Sequence, residues 1–299
     1  MNVEAWIKAF RLRTLPLSLS SVILGSLLAM WQGSFHLEIL IGALVTTLFL
    51  QILSNLANDY GDFQNGIDNE KRVGPQRALQ SGDINPSSMK WAIFVFAVLS
   101  LASGIWLLYE ASRVVDTGKL LTFLLIGLLA IAAAVKYTIG KKPYGYRGMG
   151  DIAVFIFFGL TGVGGTFYLH TNEISWSEIL PAVSIGLLAT GVLNLNNLRD
   201  EENDRASGKH SLVVLLGKKK AKIYHFSLIT VAILSALVFT ALNYESPYQW
   251  LFLLAVPMLI QNIIVVFQNE RPSDLDAELK KLAIATLVFA LTLGIGLNY

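Results

Sequence analysis

The sequence predicts an all-α, polytopic membrane protein: nine transmembrane helices in a bundle around a central cavity that opens to the cytoplasmic side. Three observations carry this expectation. Hydrophobic residues make up 54% of the 299 residues and charged residues only 15%, against about 25% charged in a soluble globular protein. The apolar residues gather in runs of roughly 17–25, the length that crosses a bilayer as a helix. The basic residues are one-sided. When the runs are threaded through a membrane, all of the 23 Lys and Arg except Arg113 and Lys119 fall on one side, which the positive-inside rule makes cytoplasmic. Cysteine is absent, so disulfides and thiolate chemistry are excluded. A net charge of +2 with no basic block gives no sign of a nucleic-acid partner.

The spans are placed at 15–33, 38–58, 89–109, 118–138, 150–170, 178–198, 222–242, 248–267 and 280–297. The first follows Lys8, Arg11 and Arg13, the two arginines being taken as interfacial anchors, and opens at Thr14-Leu15-Pro16, where proline suits a helix start. Basic residues before an apolar run resemble a signal peptide. No A-x-A-like site follows, so this run is read as a retained helix. Short turns at Gly33–His36 and Asn243–Pro247 make the flanking helices antiparallel. At the start of the fifth span, Asp151 complements the helix dipole. The mid-span glycines Gly159, Gly162, Gly164 and Gly165 follow no strand, so they indicate close helix packing rather than a nucleotide loop. Lys218, Lys219 and Lys220 before the seventh span are a topogenic cluster. An odd number of spans leaves the N-terminus inside and the C-terminus outside. The second and sixth spans run in the same direction, so the chain reads as one domain, 1–299, with parallel-repeat halves of about 1–145 and 146–299.

The candidate site lies at the cytoplasmic ends of those two spans. Asn55, Asn58, Asp59 and Asp62 close the second, with Asp68 beyond; Asn194, Asn196, Asn197, Asp200 and Asp204 close the sixth. On a helix, Asn55, Asp59 and Asp62 share one face (i, i+4, i+7), as do Asn197, Asp200 and Asp204 (i, i+3, i+7). Carboxylates against hydrocarbon are costly unless paired. A hard divalent cation keeps them charged, and oxygen ligands suit magnesium. With two such ions the four aspartates approach neutrality, and an anion such as diphosphate becomes welcome. The alternative for each cluster alone is an ordinary polar helix end in the wet interface; Glu201 and Glu202 are read that way.

Cations stand in the same loops: Lys71, Arg72 and Arg77 after the first cluster, Lys209 after the second, and Lys141, Lys142 and Arg147 between them. Arg forks and Lys ammonium groups suit phosphoryl oxygens, although topology alone also requires basic residues there. The loops that follow the two clusters, closed by Arg77–Gly82 and by Gly208–Leu212, are long enough to act as lids. His36 and His170 fall on the opposite side, and no histidine has metal-ligand spacing.

Asn58-Asp59-x-x-Asp62 with Gly66-x-Asp68, and Asp200-x-x-x-Asp204 with Gly208-Lys209, resemble the two Asp-rich motifs of UbiA-type intramembrane prenyltransferases over nearly the whole chain. Gly66 and Gly208 stand where many members carry a further Asp. Arg11-x-Arg13-Thr-Leu-Pro16, the Tyr60-Gly61 variant and Gly74-Pro-Gln-Arg77-Ala are most similar to the 1,4-dihydroxy-2-naphthoate polyprenyltransferase branch. The resemblance implies a Mg2+-dependent enzyme that joins a polyprenyl diphosphate to 1,4-dihydroxy-2-naphthoate, for menaquinone synthesis at the cell (inner) membrane. It assigns Asp59, Asp62, Asp200 and Asp204 to metal and catalysis, with Asn58 and Asn197 as supporting oxygens. Arg77, Lys141, Arg147 and Lys209 are its candidates for phosphate or acceptor carboxylate, and Asp68 and Tyr137 for further substrate contacts. Two alternatives stay open: the same chemistry on another aromatic acceptor, and a cation-coupled transporter, which would place its carboxylates nearer the midplane.

Overall fold

A computed structural model of the chain describes residues 3–70, 72–173 and 176–299. Among these residues nine helices are long and apolar enough to cross a membrane. A short helix that the sequence reading did not anticipate, α1 (Val3–Phe10), precedes them. It buries Ala5 and Ala9, and Trp6 and Phe10 pack on the cluster around Leu53 and Leu56, while Val3 and Ile7 stay exposed. The chain then breaks at Arg11, whose φ of 49° is left-handed.

The spans follow as α2 (Leu15–Trp31), α3 (Leu37–Gln64), α4 (Pro86–Ala111), α5 (Thr117–Lys136) and α6 (Gly150–Thr171). Next come α7 (Ile179–Ala206), the short α8 (Leu212–Leu216), α9 (Lys218–Leu242), α10 (Pro247–Gln268) and α11 (Leu275–Leu297). Starts are marked as local chemistry demands. Asn85 caps α4 by accepting from the Ser88 N–H at 2.7 Å, with Pro86 in its first turn. Ser246 and Gln249 form a capping box at α10.

Two spans outrun their expected ends at 58 and 198. Helix α3 continues to Gln64 and α7 to Ala206, because each stops only at a left-handed glycine: Gly66 (φ 69°) and Gly208 (φ 76°). Behind each glycine the chain folds back in the same way. The Ile67 N–H bonds the Asp62 carbonyl at 2.9 Å, and the Lys209 N–H bonds the Asp204 carbonyl at 2.8 Å. These are Schellman-type caps, and they give a backbone reason for glycine at those two positions. Within α3, Gly61 admits the end of α5: a Cβ there would meet the Thr138 carbonyl carbon at 2.7 Å.

Helix α6 is not the regular span expected over 150–170. From Phe155 to Gly165 it winds as a π-helix, beside close crossings with its neighbours. A Cβ on Gly159 would meet the Ala182 carbonyl oxygen at 2.6 Å and Gly186 Cα at 2.9 Å. Close packing at Gly159 and Gly162 therefore agrees with the sequence reading, whereas nothing lies within 4 Å of a Cβ built on Gly164.

The main core joins α2, α6, α7, α9, α10 and α11 through Leu24, Leu28, Ile185, Leu188, Phe239 and Phe289. Helix α5 contributes no buried residue and forms a thin outer wall. Between that wall and α2, α3, α4, α6 and α7 lies a cavity of about 360 Å³. At one end it is lined by Asn58, Asp62, Asn197 and Lys209, at the other by Leu107, Phe123 and Leu169.

Candidate active site

The two acidic helix ends meet. The Asn203 side-chain amide donates to the Ile67 carbonyl at 2.9 Å, and Arg72 reaches Asp68 at 3.0 Å and Asp200 at 3.7 Å. The motifs thus share one compartment, at the polar end of the cavity. On α3 the face predicted by spacing forms: Asn55 and Asp59 are buried, and Asp62 lines the cavity. Asn58 lines it too and accepts from the Thr138 hydroxyl at 3.4 Å.

Each carboxylate has a partner. Arg11 and Arg77 both pair with Asp59, Arg77 at 2.9 Å. Arg199 forks onto Asp200, its Nε at 3.0 Å and Nη2 at 2.7 Å from the two oxygens, and extends Nη1 to Asp276 at 2.6 Å. Arg13 reaches the same Asp276 at 2.8 Å. Lys209 lies 3.3 Å from Asp204, whose two carboxylate oxygens are buried without a hydrogen-bond donor. Asp62 accepts from the Tyr146 hydroxyl at 2.6 Å. Among the described residues, no three acidic or histidine side chains converge as a ready cation cage. The charge surplus expected from four aspartates is already cancelled by interposed Arg and Lys.

Burial and charge tune the loop groups. Burial and the Asp62 carboxylate raise Asp68 to about 6, against the pull of Arg77 and Arg72. Burial also lowers Arg72, with Arg77 adding to the effect and Asp200 and Asp68 opposing it. Burial works against the Lys209 ammonium, yet Asp62, Asp204 and Asp200 hold its pKa above the ordinary value. Tyr146 is pushed far up by burial and by Asp62, so it stays a hydrogen-bond donor. Burial and Asp151 do the same to Tyr137, which lines the cavity.

Of the residues singled out by sequence, Asn58, Asp62, Arg77, Tyr137, Asn197 and Lys209 line the cavity, with Asp59, Asp200 and Asp204 in the paired layer at its polar end. Asp68 is buried against Arg72 and does not line it. Lys141 and Arg147 do not join the site; both are exposed and absent from the lining. The loop explains this. The Gly145 N–H bonds the Tyr137 carbonyl at 3.0 Å, and a Cβ on Gly145 would meet that oxygen at 2.7 Å. The tight turn sends Tyr144 and Tyr146 inward and leaves the basic side chains outside. Lys71 lies outside the described residues. His170 sits at the far end, bonded to Ser26 at 2.9 Å, and the His210 side chain is exposed.

A sequence profile for the UbiA prenyltransferase family matches residues 18–295. The chain belongs to that family. It is 43% identical to a 1,4-dihydroxy-2-naphthoate octaprenyltransferase of Haemophilus influenzae, over 99% of this chain and 96% of that one. The fold is that of the apo structure of a UbiA homolog from Aeropyrum pernix K1, with a TM-score of 0.68 at 18% identity, covering 94% of this chain and 96% of that one. A UbiA homolog from Archaeoglobus fulgidus bound to GPP and Mg2+ gives 0.63 at 17% identity, covering 97% and 99%.

In this UbiA-family chain, sequence reasoning took Arg11 for an anchor, and it overlooked Arg199, Asp276 and Tyr146. Arg11 instead lines the cavity and grips Asp59. Its left-handed kink, which no helical periodicity announces, turns the side chain inward. Asp276 sits in the first turn of the last helix, far from either motif in sequence. Arg199 carried one signal, a basic residue inside an apolar-to-acidic helix end.

Proposed function

We propose that the protein transfers a polyprenyl group from an allylic polyprenyl diphosphate to 1,4-dihydroxy-2-naphthoate, the prenylation step of demethylmenaquinone synthesis. One observation carries the reading: the polar mouth, where Asp62, Arg11, Arg77 and Lys209 face the cavity, continues into an apolar channel toward Leu107, Phe123 and Leu169. Such a site suits a ligand with a charged head and a long hydrocarbon tail. The relatives named above supply the acceptor.

The donor set fits a divalent metal. All its atoms are hard oxygens, and the Asp204 carboxylate is buried with neither oxygen hydrogen-bonded. Asp59, Asp62, Asp200 and Asp204, with Asn58 and Asn197, would hold the ion, and Mg2+ is the reading its chemistry and the Archaeoglobus structure favour. Bound there, it neutralises and polarises the diphosphate. Arg11, Arg77 and Lys209 exchange carboxylate for phosphate oxygens and take up charge as diphosphate departs with the electron pair of the C1–O bond. A ring carbon of the naphthoate forms the new bond to C1, and its carboxyl group leaves as carbon dioxide. The apolar lining beyond the polar mouth suits a cation that water would otherwise capture as an alcohol. The enzyme lies in the inner membrane with its site facing the cytoplasm, and its halves, about 1–145 and 146–299, contribute one acidic motif each.

Purified protein is incubated with geranyl diphosphate, dihydroxynaphthoate and Mg2+, and the products are weighed by mass spectrometry. A prenylated, decarboxylated product is expected, together with released diphosphate. Asp62→Ala and Asp204→Ala should abolish both while remaining folded in detergent. Near-normal transfer in either variant refutes the reading.

A further inference from the structure

We propose that Tyr146 is a positioning residue that holds the two acidic motifs in register, an inference that rests on the metal and diphosphate reading above. Its turn, Tyr144–Arg147, belongs to neither motif, yet it touches both. The phenol donates to Asp62 on α3 at 2.6 Å. The ring lies beneath the Lys209 ammonium, 5.6 Å from nitrogen to centroid, and that ammonium pairs with Asp204 of α7. The Tyr146 carbonyl accepts the His210 N–H at 3.1 Å, so the loop after the second motif is tied down as well.

The two halves of the side chain have separable tasks. The hydroxyl fixes one carboxylate oxygen of Asp62 and leaves the rest of that group facing the cavity. The ring steadies Lys209 by cation–π attraction, which is stronger where water is displaced. The turn is itself rigid: the Gly145 N–H is anchored to the Tyr137 carbonyl, and Gly148 (φ 73°) closes it. A strut built on a fixed turn sets the Asp62–Lys209 spacing without spending a motif residue on it.

The test is metal and anion binding, read without turnover. Mn2+ is titrated into native protein, Tyr146→Phe and Tyr146→Leu in detergent, followed by electron paramagnetic resonance, and inorganic diphosphate is titrated separately by calorimetry. Tyr146→Phe keeps the ring and loses the hydroxyl, so Mn2+ binding should weaken about tenfold while diphosphate affinity holds. Tyr146→Leu loses both, so diphosphate affinity should fall a further threefold or so. The thermal midpoint of Tyr146→Phe should fall by a few degrees at most, the loss expected of one hydrogen bond. Equal Mn2+ affinity in all three proteins, identical behaviour of Phe and Leu, or a melting loss that parallels the metal loss overturns the inference. No Mn2+ binding by the native protein overturns the metal reading along with it.

Discussion

Arg11 shows how much one backbone angle decides. A left-handed conformation costs a non-glycine residue roughly 1–2 kcal/mol, and here it turns the guanidinium onto Asp59 and into the cavity. Strain of this kind persists where the surroundings over-determine it. Asp59 then has two arginines, Arg11 and Arg77, which the proposed function makes available to a departing diphosphate. Removing one charged hydrogen-bond partner should be felt by about 1.5–3 kcal/mol. Arg11→Gln is therefore expected to raise the KM for geranyl diphosphate about tenfold or more, with Arg11→Lys recovering part of the loss, by steady-state kinetics. Buried Arg199 works differently: forked onto Asp200 and tied to Asp276, it holds the second motif against the last helix.

At the scale of elements, the acidic helices owe their length to their stops. Gly66 and Gly208 adopt left-handed φ with nothing within 4 Å of a would-be Cβ, so the cost of a side chain there is conformational. Gly208→Ala should destabilise the detergent-solubilised protein by about 1 kcal/mol, measured by chemical denaturation. Gly159 is the opposite case. Its φ is unexceptional, and the cost of a side chain is steric, against the Ala182 carbonyl and Gly186. Gly159→Val should cost about 1–3 kcal/mol through overpacking of the α6–α7 crossing. The contrast between the two kinds of glycine separates a cap from a packing surface.

At the scale of the whole molecule, the bundle gathers the buried aspartates with Arg11, Arg77, Arg199 and Lys209 at one end of the cavity. The orientation proposed from the basic residues would put exposed Asp83 in the cytoplasm and exposed Asp116 outside. Because the chain has no cysteine, single substitutions report cleanly. Asp83→Cys should react with a membrane-impermeant maleimide only in inside-out vesicles, and Asp116→Cys only in right-side-out ones.

The sequence by itself determined the number of spans, the helical face carrying Asn55, Asp59 and Asp62, and the meeting of the two motifs at one end. These follow from hydropathy and from helix geometry, which are local and periodic. Of the four loop cations it singled out as candidates for phosphate or acceptor carboxylate, Lys209 and Arg77 line the cavity and Lys141 and Arg147 do not, since a basic residue in a loop carries no record of which way its side chain turns. Only the tertiary structure decided the charge balance. Arg11 reaches Asp59 from a segment remote in sequence, Asp276 of the last helix ties down Arg199 beside Asp200, and Tyr146 reaches Asp62 from a turn shaped by Gly145 and Tyr137. Ion pairing in a low-dielectric site depends on which charges stand a few ångströms apart, and that spacing exists only once the helices have packed.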